Sequence, residues 1–321
     1  MSDRKPAVSI GVPVYNGENF LADALDSILA QTFGDFELLI SDNASTDGTA
    51  EICREYARRD PRVRYHRNEV NVGGVDNINQ VFGRATGRYF KWAAHDDRIA
   101  PTFLEDGIAM LEENPDAVLA FSGIAVIDGD GRVTKSLAEQ LPAAGASRPV
   151  DRFREIACTS HGGFHLWGVM RADVLEKTGL HGRFQGGDRV LLAEMALHGP
   201  FATIPGRQFL LRDHEDRGTK AYPSIYRRAA WHDPSGRGSR VFPHWRIGRE
   251  LLAVVGRAPL DRRERIRCYL VMARWPTCIW NWARLAMDLL VAVVPGAWRV
   301  FEWARARAKD RRLARVGRQA S

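Results

Sequence analysis

The chain has 321 residues, of which 45% are hydrophobic and 26% are charged. These fractions are typical of a globular protein and exclude a disordered one, and the length suffices for one large α/β domain or a domain with an appendage. The four cysteines show no C-x-x-C spacing, which argues for reduced thiols in a cytoplasmic protein and against a zinc site.

The net charge of +7 is concentrated at the carboxyl terminus. Residues 299–321 hold eight Arg or Lys against two acidic residues, a net of +6, so the remaining chain is almost neutral. A basic tail favours nucleic acid or an anionic membrane surface. No homeodomain, zinc-finger or RNP pattern is present, so we expect no nucleic-acid partner and favour the membrane. Since the amino terminus lacks the apolar core of a signal peptide, we expect a cytoplasmic protein, with the cytoplasmic membrane face as its site of association.

Apolar periodicity in the first hundred residues alternates between strand and helix. Val8 to Val14 has the alternation of a strand, and Leu21 to Leu29 carries one apolar helical face. Phe36 to Ser41 is a second strand, and a helix ending near Arg59 precedes a third strand at Val63 to His66. This order predicts an α/β fold with a parallel sheet and right-handed crossovers.

Three polar clusters follow predicted strands, and ligands of such sheets bind beyond the carboxyl ends of the strands. The clusters contain Pro13 and Tyr15, Asp42, and the pair Asp96-Asp97. Two adjacent carboxylates are unfavourable unless a cation or ligand donors are present, and a solvated turn is the alternative. Ordinary packing is the structural alternative for the tyrosine, and a turn is the alternative for the single aspartate.

Five segments, in this order and spacing, resemble the inverting family-2 glycosyltransferases over roughly residues 7–215: Val8–Asn16, Ser27–Thr32, Ser41–Thr49, Asn71–Gly74 and His95–Asp97. The resemblance implies the GT-A fold, a Rossmann-like, mostly parallel sheet flanked by helices. It also implies transfer of a sugar from a nucleotide-diphosphate donor to an acceptor hydroxyl with inversion, in polysaccharide or glycolipid biosynthesis.

By this resemblance the nucleotide pocket is lined by Pro13, Tyr15 and Asp42, where the tyrosine can stack on a base and Asp42 can accept from a base N–H. Asp96 and Asp97 look like the acidic metal motif of the family, but Ala94 stands where an earlier Asp often appears. We therefore predict Asp97 as a ligand of Mn²⁺ or Mg²⁺ and Asp96 as the contact to the ribose. Oxygen ligands with a diphosphate suit either ion, which would offset charge on the leaving group.

Two residues farther along the chain match functional positions of the family. Asp188 follows two glycines at the start of an amphipathic helix and matches the general base, while a helix N-cap is its structural alternative. His214 ends an Arg-x-His pattern whose His reaches the metal or diphosphate in many relatives, and imidazole is an acceptable ligand of Mn²⁺.

The family pattern fades after residue 224. We therefore divide the chain into a catalytic domain over residues 1–224 and a helical C-terminal region over residues 225–321. Residues 275–304 contain five tryptophans among many apolar residues, but no apolar run long enough to span a bilayer. A helix in the membrane interface, a helical cap on the catalytic domain and an oligomer contact are the open alternatives.

Two other functions share parts of this pattern. A nucleotidyltransferase usually has a Gly-rich, basic loop after the first strand, whereas Tyr15 to Glu18 contains no basic residue. A non-catalytic sugar-nucleotide-binding protein would not need Asp188. A lipid-linked glycan as the hydroxyl acceptor would explain the Trp-rich segment, and the donor sugar stays open.

Overall fold

The computed structural model describes residues 5–137, 141–215, 242–294 and 297. The strands are β1 Val8–Val14, β2 Phe36–Asp42, β3 Val63–Arg67, β4 Tyr89–Trp92, β5 Arg98–Ile99, β6 Leu119–Ile127, β7 Val133–Leu137, β8 Val169–Arg171 and β9 Phe201–Arg212. The helices of the described residues are α1 Leu21–Leu29, α2 Thr49–Arg59, α3 Gly74–Phe82, α4 Phe103–Glu113, α5 Pro149–Cys158, α6 Ala172–Leu175, α7 Gly187–His198, α8 Pro243–Arg257, α9 Arg262–Arg274 and α10 Asn281–Val293. Short 3-10 helices span Pro142–Gly145, Phe164–Trp167 and Trp275–Trp280.

The strands form one sheet in the order β3-β2-β1-β4-β8-β6-β9-β5, with β7 paired to β6. The half that contains β3, β2, β1 and β4 is parallel, as the alternation of strands and helices predicts. Strand β8 then runs antiparallel between β4 and β6, and β9 runs parallel to β6. The α/β prediction is confirmed, and the carboxyl ends of β1, β2 and β4 meet at one edge.

Strand β1 is central, yet it contains a proline, which cannot donate a ladder hydrogen bond. The pairing of β1 with β4 ends at Gly11 and Trp92, so Pro13 lies beyond the last residue that β4 pairs. Its missing N–H therefore removes no bond on that side, and the end of β1 is left open beside the β4 terminus.

The C-terminal helices pack on the sheet domain through α5 and α7. Several of their residues are buried in the same core as the strands, namely Ile247, Leu251, Val254, Val255, Cys268, Met272 and Trp275. Asp288 of α10 is fully buried and accepts from the backbone N–H groups of His244 at 2.8 Å and Trp245 at 3.2 Å, which caps the start of α8. The predicted helical extension is confirmed, while the division at residue 224 falls outside the described residues and stays a prediction.

The tryptophans of this region differ in their surroundings. Trp275 is buried, whereas Trp280 is 71% and Trp282 is 55% exposed. Trp298 and Trp303 lie outside the described residues. Within the part of the chain that the structure describes, no helix combines the length and apolar character needed to cross a bilayer.

Candidate active site

The loops that follow β1 and β2 hold each other in place. The backbone N–H of Asn16 donates to Ser45 Oγ at 2.9 Å, and Asn16 Oδ1 accepts from the backbone N–H of Thr46 at 2.8 Å. Asn16 has a φ of +51°, which asparagine tolerates better than most residues. Tyr15, next to it, is 46% exposed. These hydrogen bonds therefore fix the backbone and leave the tyrosine ring open to solvent at the sheet edge.

Asp42, the last residue of β2, is fully buried. Its Oδ1 accepts from the backbone N–H of Ser45 at 2.8 Å, and its Oδ2 accepts from Tyr65 Oη at 2.8 Å and faces Arg67 Nη1 at 3.4 Å. Burial, followed by the hydrogen bond to Asp42, raises the pKa of Tyr65 to about 12. An ionised carboxylate has about four lone-pair positions, so Asp42 retains capacity for one further donor. Arg67, with 40% of its side chain exposed, brings positive charge to this pocket and was not predicted.

Asp96 and Asp97 lie in the turn that follows β4. Asp96 Oδ2 lies 3.0 Å from His214 Nε2, just beyond the end of β9. Asp97 is 7% exposed, and its Oδ1 accepts from the backbone N–H of Arg212 at 2.8 Å. The structure thus brings the two acids and the histidine together, with the contact of His214 made to Asp96.

Arg212, only 1% exposed, holds the acidic turn against β9. Its Nε donates to the backbone carbonyl of Asp96 at 2.8 Å, its Nη1 donates to that of Gly129 at 2.8 Å, and its Nη2 pairs with the Asp23 carboxylate. The guanidinium also lies 4.6 Å from the ring centroid of Phe20. A planar group with five donors is suited to so many acceptors, and lysine is not. In the sequence, Arg212 is recognisable only as the first residue of the Arg-x-His pattern, and that pattern predicts no role for it.

The described residues contain no preformed cluster of three His, Cys, Asp or Glu side chains able to hold a metal. Mg²⁺ is usually bound by one or two carboxylates together with substrate phosphates rather than by an all-protein cage, and Mn²⁺ accepts imidazole as well. His214 Nδ1 is buried and has no hydrogen-bond partner among the described residues. Asp96, Asp97 and His214 thus form no preformed metal site, but their carboxylate and imidazole groups are the kinds of ligand that such an ion accepts together with a diphosphate.

Asp188 is the second residue of α7 and does not cap it, because the N-cap is Gly186 with a φ of +98°. Its Oδ1 accepts from the backbone N–H of Arg189 at 2.8 Å. Its Oδ2 lies close to Gly163, where an added Cβ would be only 2.7 Å away, and Gly163 has a φ of +72°. A side chain at Gly163 would therefore be strained and would crowd the carboxylate. The half-buried carboxylate faces the loop that precedes the 3-10 helix Phe164–Trp167.

Lys91 connects that loop to β4. It is fully buried, and its Nζ donates to the backbone carbonyls of Trp92 at 3.2 Å and of Trp167. Its Nζ also lies 4.6 Å from the ring centroid of Phe103. Burial lowers the pKa of Lys91 to about 7, and Asp97 opposes this shift. Lys91 thus ties the strand that leads to the acidic turn to the segment that faces Asp188. In the sequence, Lys91 is distinguished only by being a lysine inside an otherwise apolar strand.

Comparison with known proteins gives a family match over more than half of the chain. Residues 9–179 match the family model described as Glycosyl transferase family 2. The chain is 33% identical over 141 residues to "Putative glycosyltransferase EpsE" of Bacillus subtilis, covering 44% of this chain and 51% of that protein. It is 33% identical over 131 residues to "Putative teichuronic acid biosynthesis glycosyltransferase TuaG" of the same organism, covering 41% and 52%. The chain spans about half the length of these curated relatives.

Solved structures with a similar fold cover most of the chain. S. aureus TarS 1-349 in complex with UDP-GlcNAc has a TM-score of 0.60 and 16% identity, covering 90% of this chain and 82% of that one. Mannosyltransferase PcManGT from Pyrobaculum calidifontis, in complex with GDP-Man and Mn²⁺, has a TM-score of 0.50 and 18% identity, covering 92% and 88%. At such identities the likeness concerns the fold alone, and it confirms the predicted GT-A class.

Proposed function

The chain belongs to glycosyl transferase family 2, and from that premise we propose that it moves a sugar from a nucleotide-diphosphate donor to an acceptor hydroxyl with inversion. The observation that carries the proposal is the acidic turn at Asp96-Asp97, joined to His214 on one side and tied through Lys91 to the segment facing Asp188 on the other. Donor-binding and acceptor-activating groups would then share one sheet edge.

The proposed donor pocket consists of Pro13, Tyr15 and Asp42. The exposed ring of Tyr15 supports stacking on a base, and the remaining lone-pair position of Asp42 supports a contact to a base N–H. Because Asp42 is fully buried, we expect Arg67 to shift when the base enters. Solved proteins of this fold that bind UDP-GlcNAc and GDP-Man support a donor of the same general class.

We propose Asp97 and His214 as ligands of Mn²⁺ or Mg²⁺ and Asp96 as the contact to the ribose. When bound, such an ion stabilises the negative charge that develops on the leaving diphosphate. The hydrogen bond between His214 and Asp96 supports a second task for the histidine, which is to orient the carboxylate that contacts the ribose.

Asp188 is the proposed general base. Its Oδ2 accepts no hydrogen bond from a described residue, so it is available to the acceptor hydroxyl, while the bond from Arg189 fixes Oδ1. A base must reach the hydroxyl within hydrogen-bond distance before its pKa matters. Asp188 would remove the proton as the hydroxyl oxygen attacks the anomeric carbon opposite the diphosphate, in a single displacement that inverts the configuration.

The acceptor is proposed to be a lipid-linked glycan at the cytoplasmic membrane face. The exposed Trp280 and Trp282 support this proposal, because tryptophan favours the membrane interface, and so does the basic tail.

A thermal-shift screen of UDP-, GDP- and dTDP-sugars, each with and without Mn²⁺, tests the donor assignment. We expect one nucleotide class to raise the melting temperature by several degrees, because a ligand at a hundred times its Kd stabilises by about 2.7 kcal/mol. The shift should require Mn²⁺ and disappear in Asp97→Asn but persist in Asp130→Asn, which lies in an exposed turn. Equal increases in melting temperature with and without metal for every donor would contradict the metal assignment. No increase with any donor would contradict the donor class.

A further inference from the structure

A groove of about 330 Å³ lies between α5 and α9, away from the acidic turn. Four arginines line it, Arg148, Arg154, Arg267 and Arg274. Its apolar wall includes Leu270, which is 60% exposed. The groove therefore combines concentrated positive charge with apolar surface that faces solvent.

The charge of the groove is only partly balanced. Arg154 pairs with Asp151 at 3.0 Å, and Arg267 pairs with Glu264. Arg148 lies 3.8 Å from the same aspartate and 4.0 Å from the same glutamate, so two carboxylates are shared by three guanidinium groups. Among the described residues, none forms an ion pair with Arg274. Four cations against two anions leave a net charge of +2, which favours an anionic occupant.

Helix α9 exposes apolar side chains beside these arginines. Ile266 is 50% exposed and lies one turn before Leu270 on the same face. Trp280, 71% exposed, follows shortly after the Cys278 that also lines the groove. A surface that combines the arginines and exposed Ile and Leu of α9 with an exposed Trp on the 3-10 helix that follows has the composition of a surface that lies in the headgroup region of a membrane. A free phosphate would use the arginines and leave the apolar residues in water.

Neither the remaining chain nor a second copy matches this surface. Residues 216–241 hold six Arg or Lys against two Asp, and residues 295–321 hold eight against two acids, so the net charge of both segments has the same sign as that of the groove. A two-fold contact between copies would bring the same arginines face to face. We propose that this groove binds the phosphate headgroups of an anionic bilayer, with Leu270 and Trp280 at the acyl boundary.

Such docking would set the orientation of the proposed active site, and this part rests on the proposed function. Cys158, at the end of α5, lines the groove. Arg189 Nη1 donates to the backbone carbonyls of Ile156 at 2.6 Å and Thr159 at 2.8 Å, which fixes the start of α7 to the same helix end. Asp188 is therefore joined, through its neighbour Arg189, to the helix end that lines the proposed membrane-binding groove, where a lipid-linked acceptor would present its hydroxyl.

Flotation of the full chain with phosphatidylcholine vesicles, with or without 30% phosphatidylglycerol, tests the proposal. Wild-type protein should float with the anionic vesicles only. The variant Arg267→Gln/Arg274→Gln should bind them roughly tenfold or more weakly, because each basic residue near an anionic surface contributes about 1 kcal/mol. The matched control Arg58→Gln/Arg59→Gln removes two exposed arginines from α2 and should bind like the wild type.

Equal binding by the groove variant and its control would overturn the proposal and assign attachment to the tail. Loss of flotation when inorganic phosphate is added at the concentration of the lipid phosphate would overturn the proposal, because it would show that the groove binds a free anion. A change of molecular mass of the groove variant in light scattering, with vesicle binding intact, would assign the groove to a second copy. The donor-induced thermal shift should be unchanged in the groove variant, so this proposal and the donor assignment can fail independently.

Discussion

At the scale of single residues, Tyr15 shows how backbone geometry can present an aromatic ring to solvent. Asn16 takes up the left-handed conformation and bonds to Ser45 and Thr46, so the chain leaves β1 along a fixed path. The tyrosine ring makes none of these bonds and is 46% exposed. Because the backbone that carries the ring is already fixed, little backbone entropy would be lost when a base stacks on it.

Replacement of Tyr15 by alanine should therefore weaken donor binding without unfolding the protein. Stacking of a base on an aromatic side chain contributes about 1–3 kcal/mol, so we expect roughly a tenfold or greater increase in the donor Kd, measured by calorimetric titration. Tyr15→Phe should keep most of the affinity. Tyr269→Ala, which removes another exposed tyrosine, serves as the control. An unchanged Kd in Tyr15→Ala would contradict the stacking role.

The acidic turn shows which contacts a sequence can predict. That Asp42, Asp96 and Asp97 belong to one edge follows from the rule that parallel strands end at the same side of a sheet. The bond between Asp97 and Arg212 joins residues 115 positions apart, and no local pattern encodes it. Lys91 was missed for a related reason, since its carbonyl partner at Trp167 comes from a segment 76 residues away.

At the scale of elements, the segment between α5 and β8 links the proposed base to the core. His161 Nδ1 accepts from the backbone N–H of Gly163 at 3.1 Å, and the His165 ring lies 4.9 Å from that of Phe121. Burial lowers the pKa of His161 to about 3, and that of His165 to about 4. Both histidines are thus neutral in the folded protein at mildly acidic pH.

These shifts predict an acid sensitivity with a definite sign. Between about pH 6.5 and pH 4 the unfolded chain protonates both histidines and the folded chain does not, so the free energy of unfolding falls as the pH falls. Each histidine contributes at most about 1.4 kcal/mol per pH unit. His165→Phe keeps an aromatic ring beside Phe121 and should show a shallower slope in urea denaturation between pH 4.5 and pH 7. Parallel slopes for wild type and variant would rule out this account.

At the scale of the whole molecule, the C-terminal helices complete the core. Glu194 of α7 is 1% exposed, pairs with Arg257 of α8 and accepts from the backbone N–H of Gly179 at 3.0 Å. The apolar faces of α8 and α9 join the same buried cluster as the strands. Helices α8 and α9 thus cap the sheet domain, whereas the three alternatives given for residues 275–304 stay predictions.

We expect the full chain to unfold in one transition, and Arg257→Ala to lower its free energy of unfolding by about 2–3 kcal/mol. Removal of the arginine leaves the Glu194 carboxylate buried and without its cation, although water can reach the half-exposed side of the pair. Arg263→Ala, on an exposed position of α9, should change the free energy by less than about 0.5 kcal/mol. Two separate transitions in urea denaturation followed by circular dichroism would show that the helices fold apart from the sheet domain.

The fold class could be predicted from the sequence more completely than the packing of the helices and strands against each other. Strand and helix periods reveal the parallel half of the sheet, because each element carries its own pattern. The docking of α8 on α7 includes a charge pair whose carboxylate, on Glu194, is buried, and charges in a sequence are normally expected at the surface. Asp288 is a similar case, since an acid that interrupts an apolar run proves to cap another helix.

Asp188→Asn tests the central claim most directly. Release of nucleoside diphosphate from the donor chosen by the thermal-shift screen would be measured with a panel of free sugars and a detergent-dispersed lipid extract as acceptors, together with the donor Kd. A lost general base lowers the rate by about 10²–10⁴-fold, and we expect such a loss with an unchanged Kd. Wild-type release in the variant, with donor binding intact, would contradict the assignment of Asp188 as the base of an inverting glycosyltransferase.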